Sequence, residues 1–214
     1  KSLVVPGVDA FAPQQQHYRT TTSTSSSTIT STRQFAVSAS AESQLAQLAS
    51  MTTLSIDSGD LKVIEEYAAT GYITDATTNP LFVSQAGLSG DPVYAKMVIF
   101  AVEYALQETD DKDDEAGIVA LAIDRLAVNL GSAIAKIVPG YISTEVDPRL
   151  SFDTDASVQR GERIIAMYQK IGVPKERVLI KLAATWEGIQ AAERLEKQGI
   201  QCNLTLIFSV VQAV

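Results

Sequence analysis

Residues 177–187 read RVLIKLAATWE, a stretch that predicts a buried strand running into a helix. Lys181 interrupts its apolar run. Either this lysine lies at a strand end and extends its amine to water, or the amine points into the interior. Moving the pKa of a buried amine from about 10.4 to about 7 costs roughly 4 to 5 kcal/mol, which favours a functional role over packing. The flanking residues are typical of a strand covered on both faces, as in parallel sheets: Val178, Leu179, Ile180 and Leu182.

The same alternation of apolar strand and amphipathic helix repeats on both sides of this stretch. Successive β-then-α units predict a parallel sheet, either doubly wound or closed into a barrel. No glycine-rich phosphate loop of the GxGxxG or GxxxxGK[ST] type follows a strand, which argues against a nucleotide-binding open sheet. The predicted strands are 52–57, 73–79, 140–146, 177–183 and 202–208, and the predicted helices are 43–49, 60–69, 92–108, 116–137, 156–171 and 186–198.

Period-two phasing separates the two faces of each predicted strand. Toward its C-terminal end, every strand has one face that carries polar or charged residues. Active sites of (β/α)8 barrels gather at the C-terminal ends of the strands. We therefore predict an α/β fold of the TIM-barrel type, with about the first five βα units present. The residues expected inside it are Asp57, Thr77, Asn79, Glu145, Lys181, Asn203 and Thr205.

Composition limits the chemistry that is open to this protein. The formal net charge of −8 over 214 residues makes nucleic acid a poor partner, and no uninterrupted run of apolar residues is long enough to predict a membrane span. Cys202 is the single cysteine, and the single histidine, His17, lies in a low-complexity N-terminal segment. We therefore expect no intrachain disulfide, no metal and no cofactor.

A desolvated lysine beside carboxylates suits Schiff-base chemistry on a carbonyl substrate. The amine attacks a ketone, and the iminium that forms accepts electrons as the adjacent carbon–carbon bond breaks. This chemistry needs one base for the hydroxyl whose carbon leaves and one acid/base for the carbinolamine steps, roles that Asp57 and Glu145 can divide. Asn79, Asn203 and Thr205 can bind substrate hydroxyls or a water. For all of these residues, the alternative is a satisfied polar group that closes a barrel layer.

Five ordered segments carry a resemblance to a known family. The segments are SIDSGD (55–60), TDATTNP (74–80), ISTEVDPRLSFD (142–153), VLIKLAATWEGIQAA (178–192) and GIQCNLTLIFS (199–209). In these segments and their order the chain is similar to transaldolases, over about residues 43–214. The resemblance implies a class I barrel enzyme of the pentose phosphate pathway. Such an enzyme moves a dihydroxyacetone unit from sedoheptulose 7-phosphate to glyceraldehyde 3-phosphate.

The resemblance also implies a role for each site residue. Lys181 would be the Schiff-base lysine, Asp57 the base on the C4 hydroxyl, and Glu145 the acid/base that works through a water. Asn79 and Asn203 would bind the dihydroxyacetone moiety. Thr205 would hold that water, and Thr77 would lie beside the substrate.

Two departures from the family pattern stand out. Pro148 replaces a usual alanine, and the chain stops at Val214, just after the fifth predicted strand. In the family, three further βα units supply a serine and the arginines that bind the substrate phosphate. We therefore expect this chain to be a fragment of a longer protein that acts on sugar phosphates. We expect no binding to membranes, and a homodimer is one of the oligomeric states that the sequence allows. The alternatives are a related Schiff-base aldolase that releases a free ketone, and a non-catalytic truncated barrel.

The N-terminal segment differs from the rest in composition. Residues 20–32 are Ser or Thr at every position except Ile29, a composition that cannot build a core and is typical of transit segments. The motif VDAFAP (8–13) resembles the cleavage site of the bipartite plastid presequences found in algae with secondary plastids. We therefore expect a disordered presequence at 1–41, a partial barrel domain at 42–214, and a plastid stromal location with the cytoplasm as the alternative.

Overall fold

The computed structural model describes residues 43–214, and the predicted presequence at 1–41 lies outside the described residues. Five strands form one sheet in the order β1-β2-β3-β4-β5, and each strand pairs in parallel with the next along the chain. A strand order that follows the chain without reversal is that of a barrel, so the doubly wound alternative is wrong. The strands are β1 (Leu54–Asp57), β2 (Ile73–Thr77), β3 (Ile142–Glu145), β4 (Val178–Ala183) and β5 (Cys202–Thr205).

Helices fill the connections between the strands, as predicted. Most begin at a side-chain cap; Asp60 accepts from Lys62 N and Val63 N at the start of one helix, and Thr185 accepts from Gly188 N at the start of another. Two short 3-10 turns occur at Pro148–Leu150 and Lys175–Arg177. The α-helices are α1 (Gln44–Met51), α2 (Leu61–Ala68), α3 (Pro80–Leu88), α4 (Pro92–Glu108), α5 (Glu115–Ile134), α6 (Thr154–Lys170), α7 (Trp186–Glu196) and α8 (Val210–Ala213).

Two strands end two or more residues earlier than predicted. The second strand ends at Thr77 instead of residue 79, because Asn79 caps α3 by accepting a hydrogen bond from Phe82 N at 3.1 Å. Proline is common in the first turn of a helix, and Pro80 occupies this position in α3. Helix α3 is nevertheless absent from the predicted helices. The fifth strand ends at Thr205 instead of residue 208, since Leu206 has a left-handed backbone with φ of 67° that ends the strand ladder.

The hydrophobic core lies between the outer face of the sheet and the helices. One cluster joins β4 to α6 and α7 and includes Ile180, Tyr168 and Leu195; a second joins β3 to α5 and includes Ile142 and Leu130. Ile180 and Ile142 are fully buried, as the phasing of the strands predicts. The opposite face of each strand is thus left for the polar residues.

The longest helix within residues 43–214, α5, is joined to α6 by buried ion pairs. At mid-helix, Asp124 receives hydrogen bonds from Arg160 Nε and Arg163 Nη2 of α6, both at 2.8 Å. Burial raises the pKa of Asp124 even though both arginines act to lower it. By length and composition α5 is the one helix within 43–214 that passes a test for a membrane span, which is weak evidence because a core helix passes the same test. Here α5 packs on β3.

Candidate active site

The inner face of the sheet is polar and concave. Lys181 Nζ on β4 lies 3.4 Å from Thr77 Oγ1 on β2, and Asn203 Nδ2 on β5 lies 3.0 Å from Ser143 Oγ on β3. Both contacts skip an intervening strand, although strands two apart in a flat sheet are separated by about 9 to 10 Å. The sheet is therefore curled, as the walls of a partial barrel are.

Lys181 lies inside this curl and not at a strand end. The residue is 8% exposed, so the alternative in which its amine reaches water is wrong. Its Nζ donates to the backbone oxygen of Thr78 at 3.2 Å and to Thr77 Oγ1 at 3.4 Å, and it lies 3.4 Å from Glu145 Oε2. Three oxygen atoms therefore hold the amine in one position within the interior.

Glu145 is the partner of Lys181 across the β3–β4 ladder. The two residues are paired in register, and Val146, the residue that follows β3, donates its N–H to Lys181 O at 3.0 Å. Burial raises the pKa of Glu145; the charge and hydrogen bond of Lys181 oppose this rise, and the negative charge of Asp57 adds to it. A carboxyl group with a raised pKa exchanges its proton closer to neutral pH, as a general acid/base must.

Asp57 ends β1 and is paired in register with Thr77. Its charge acts on Glu145, so the two carboxylates share one electrostatic environment. Within residues 43–214 the Asp57 side chain makes no hydrogen bond, and the residue is exposed. β1 is an edge strand of the described sheet, which explains this exposure.

The structure also brings the predicted neutral residues to the strand ends. Asn203 is paired in register with Lys181, and Thr205 with Ala183 one step further along β5. Asn79 uses its side-chain oxygen to cap α3. Ser143, the hydrogen-bond partner of Asn203, was not among the predicted site residues, although its phase with Glu145 pointed to the same face.

The backbone oxygen of Thr78 was missed for a different reason. It accepts from Lys181 Nζ just beyond the end of β2. A backbone oxygen carries no sequence signal, so residue types and phasing could not identify it. Its role follows only from the path of the chain after Thr77.

A cavity of about 410 Å³ opens beside Glu145. Its walls are the end of β2, the apolar faces of α3 and α5, and the loop after β3, including Asn79, Val83, Ala127 and Arg149. Within residues 43–214 no group of three or more His, Cys, Asp or Glu side chains is placed to hold a metal ion. The side chains that meet on the inner face of the sheet are an amine, carboxylates and neutral hydrogen-bonding groups.

Fold and site together define a partial parallel α/β barrel with a buried lysine–glutamate pair on its inner face. The family model described as Transaldolase/Fructose-6-phosphate aldolase matches residues 54–214. The chain belongs to this family. The resemblance seen in the five sequence motifs is therefore confirmed.

Curated relatives agree with this membership. The chain is 49% identical to a transaldolase of Aeromonas salmonicida over 170 residues, which is 79% of this chain and 51% of the relative. It is 49% identical to a probable transaldolase of Dictyostelium discoideum over 79% of this chain and 50% of that protein. A transaldolase of Protochlamydia amoebophila is 46% identical over 81% and 51%, respectively. The chain thus spans about half the length of the curated relatives it matches.

Proposed function

We propose that this protein is a transaldolase, which moves a dihydroxyacetone unit from sedoheptulose 7-phosphate to glyceraldehyde 3-phosphate through a Schiff base on Lys181. The observation that carries this proposal is the buried amine of Lys181, 3.4 Å from Glu145 Oε2 on the inner face of a barrel sheet. Membership of the transaldolase/fructose-6-phosphate aldolase family supports it.

Schiff-base formation falls to Lys181 and Glu145. Glu145 takes a proton from the amine, and the neutral nitrogen attacks the C2 carbonyl of the ketose to give a carbinolamine. Glu145 then returns a proton, through a water, to the carbinolamine hydroxyl, which leaves as water and yields the iminium. The raised pKa of Glu145 suits a group that must both accept and donate protons.

Carbon–carbon cleavage falls to Asp57. Its carboxylate takes the proton of the C4 hydroxyl, the C3–C4 bond breaks, and the bonding electrons move into the iminium to form an enamine. Erythrose 4-phosphate leaves as the aldehyde product. The enamine then attacks the aldehyde of glyceraldehyde 3-phosphate, Asp57 returns the proton, and hydrolysis of the new iminium releases fructose 6-phosphate.

The neutral residues bind the ketose portion of the substrate. Asn79 and Asn203 hold hydroxyls of the dihydroxyacetone unit, and Thr205 holds the water used by Glu145. Thr77 accepts a hydrogen bond from Lys181 Nζ at 3.4 Å and so aims the amine. No cofactor or metal enters this scheme.

Borohydride trapping tests the proposal. The complete protein encoded by the gene is incubated with fructose 6-phosphate and borohydride, and the modified peptide is identified by mass spectrometry. We expect a reduced sugar adduct on Lys181 that Lys181→Met abolishes. Lys175→Met is the matched control, because Lys175 is only half-buried, lies outside the barrel interior in a 3-10 turn, and donates a hydrogen bond to Gln198 O at 3.4 Å. An adduct on another residue would contradict the assignment. Absence of both adduct and turnover would favour the non-catalytic barrel.

The family description also names a second activity, that of fructose-6-phosphate aldolase. Such an enzyme releases dihydroxyacetone instead of transferring it. Comparing product formation with and without glyceraldehyde 3-phosphate separates the two: a transferase releases erythrose 4-phosphate continuously only when the acceptor is present, whereas an aldolase forms free dihydroxyacetone without it.

We also propose import into the plastid stroma, directed by the Ser/Thr-rich segment in residues 1–41. A fusion of residues 1–41 to a fluorescent protein, expressed in an alga with a secondary plastid, should accumulate inside the plastid. A cytoplasmic signal would favour the alternative location. The homodimer stays a prediction, and sedimentation of the complete protein measures it.

A further inference from the structure

The proposed base, Asp57, is placed by its backbone alone. It lies at the end of an edge strand, and within residues 43–214 its side chain accepts no hydrogen bond. The direction of its carboxylate therefore depends on the loop that follows, Ser58 to Asp60. A side chain that holds this loop controls the position of Asp57.

Tyr94 on α4 binds the middle of that loop and the first residue of α2. Its hydroxyl accepts the N–H of Leu61 at 2.9 Å and donates to Gly59 O at 3.2 Å. Gly59 is buried, and a Cβ atom there would lie 2.8 Å from Phe82 Cβ, so the loop is pressed against α3. One phenol group thus joins the loop after Asp57 to a helix more than 30 residues away.

The chemistry of this phenol suits a permanent bridge. Burial raises the pKa of Tyr94; the N–H of Leu61 opposes this rise, and the charges of Asp60 and Asp91 add to it. The hydroxyl therefore keeps its proton at physiological pH and remains a donor to Gly59 O. A phenylalanine would fill the same space but would leave both backbone groups without this partner.

We propose that Tyr94 is a positioning residue that aims Asp57, and that it acts on carbon–carbon cleavage and not on Schiff-base formation. The inference rests on the proposed function, since it takes Asp57 as the base. Tyr94 has no hydrogen bond to either Lys181 or Glu145, so removal of its hydroxyl leaves the amine and its acid/base in place. The two halves of the reaction should then respond differently to one substitution.

The experiment compares Tyr94→Phe with Tyr104→Phe in the complete protein. Tyr104 lies on the same helix, but its hydroxyl accepts a hydrogen bond only from the exposed Lys170, at 3.4 Å. We expect Tyr94→Phe to lower the kcat for sugar transfer by about 10- to 100-fold and to leave borohydride trapping on Lys181 at the level of the unmodified protein. Tyr104→Phe should change neither measurement.

Three outcomes would overturn the inference. Unchanged kcat in Tyr94→Phe shows that the loop does not depend on the hydroxyl. Loss of trapping together with kcat shows a general effect on the site. An equal loss of kcat in Tyr104→Phe would show that removing either tyrosine hydroxyl of α4 lowers activity, whether or not it binds the loop. Failure of the proposed function is separate, because it appears as absent trapping in the unmodified protein.

A double-mutant cycle with Asp57→Asn keeps the inference testable if Tyr94→Phe weakens the fold. If Tyr94 acts through Asp57, adding Tyr94→Phe to Asp57→Asn lowers the residual kcat by less than about twofold. A full additional loss in the double variant, at equal folded fraction by circular dichroism, would show that Tyr94 acts elsewhere and would overturn the inference.

Discussion

Lys181 and Glu145 face each other across neighbouring parallel strands, with Lys181 Nζ 3.4 Å from Glu145 Oε2. Their side chains are only 10% and 13% exposed. A buried ion pair recovers its desolvation cost only when further hydrogen bonds satisfy its atoms, and Thr77 and Thr78 O supply these to the lysine. Burying this pair thus costs folding free energy, but the two groups are well placed for proton exchange.

The pH dependence of turnover should report Glu145. Burial raises its pKa above the ordinary value of 4.5, so the carboxylate that would accept the amine proton in the proposed mechanism forms at a higher pH. We expect the acidic limb of the kcat profile to lie above pH 4.5 and to disappear in Glu145→Gln, with kcat lowered by about 10²- to 10⁴-fold. Glu193→Gln is the control, because Glu193 is a surface residue that pairs with Lys197. A profile unchanged by Glu145→Gln would contradict the role.

Stability should depend strongly on Asp124. Its side chain is 6% exposed, and the Arg160 side chain, at 12% exposed, would lose its buried partner in Asp124→Ala. Removing one member of a buried pair typically lowers the free energy of unfolding by about 3 to 5 kcal/mol, measured by urea denaturation. Asp155→Ala breaks the exposed pair with Arg194 and should cost about 0 to 1 kcal/mol. Equal losses in the two variants would rule out this account of the α5–α6 contact.

The contact between α5 and α6 leaves no room for a side chain at Gly131. A Cβ atom there would collide with the hydroxyl of Tyr168, which is fully buried and hydrogen-bonded to Thr144 Oγ1 at 2.6 Å. Gly131→Ala should lower the free energy of unfolding by about 1 to 3 kcal/mol. Gly87→Ala on α3 is the control; its Cβ would meet only side-chain atoms at 3.4 Å and beyond, and we expect about 0.5 to 1 kcal/mol of stabilisation.

Tyr168→Phe tests whether the collision involves the hydroxyl. Alone, this change should cost about 1 to 3 kcal/mol, because Thr144 loses its buried partner. In the Gly131→Ala background the same change removes the colliding atom, so its cost should be smaller or reversed. Additive free energies in this cycle would show that the two residues do not meet.

The single thiol should be unreactive in the folded protein. Burial raises the pKa of Cys202 to about 12, and the charge of Glu196 adds to the rise. Few thiolates therefore exist at pH 8, and labelling by a thiol reagent should be slow until urea unfolds the chain. Rapid labelling of the native protein would contradict this burial.

The raised pKa of Cys202 also predicts how the free energy of unfolding changes with pH. Because the thiol pKa is higher in the folded state than the ordinary 9.0, its contribution is fully present below about pH 9 and is lost as pH rises toward 12. The free energy of unfolding should therefore fall more steeply between pH 9 and 12 in the unmodified protein than in Cys202→Ala. Identical slopes would contradict the shift.

Much of the fold was predictable because the signals are local. Alternation with period two placed Asp57, Glu145 and Lys181 on one face, and helical periodicity located the connecting helices except α3. The predicted strand ends were wrong where a local interaction stops the strand. Asn79 caps α3, so β2 ends before it, and Leu206 has a left-handed backbone that ends β5. Strand propensity alone does not distinguish a strand end from a cap.

The sequence by itself determined the order of strands and helices, the polar inner face and the family. Only the tertiary structure decided that Lys181 reaches Thr77 and Thr78 O across an intervening strand, and that Tyr94 holds the loop beside Asp57. The physical reason is that periodicity is a property of neighbouring residues. Sheet curvature and burial, in contrast, arise when segments more than 100 residues apart pack together.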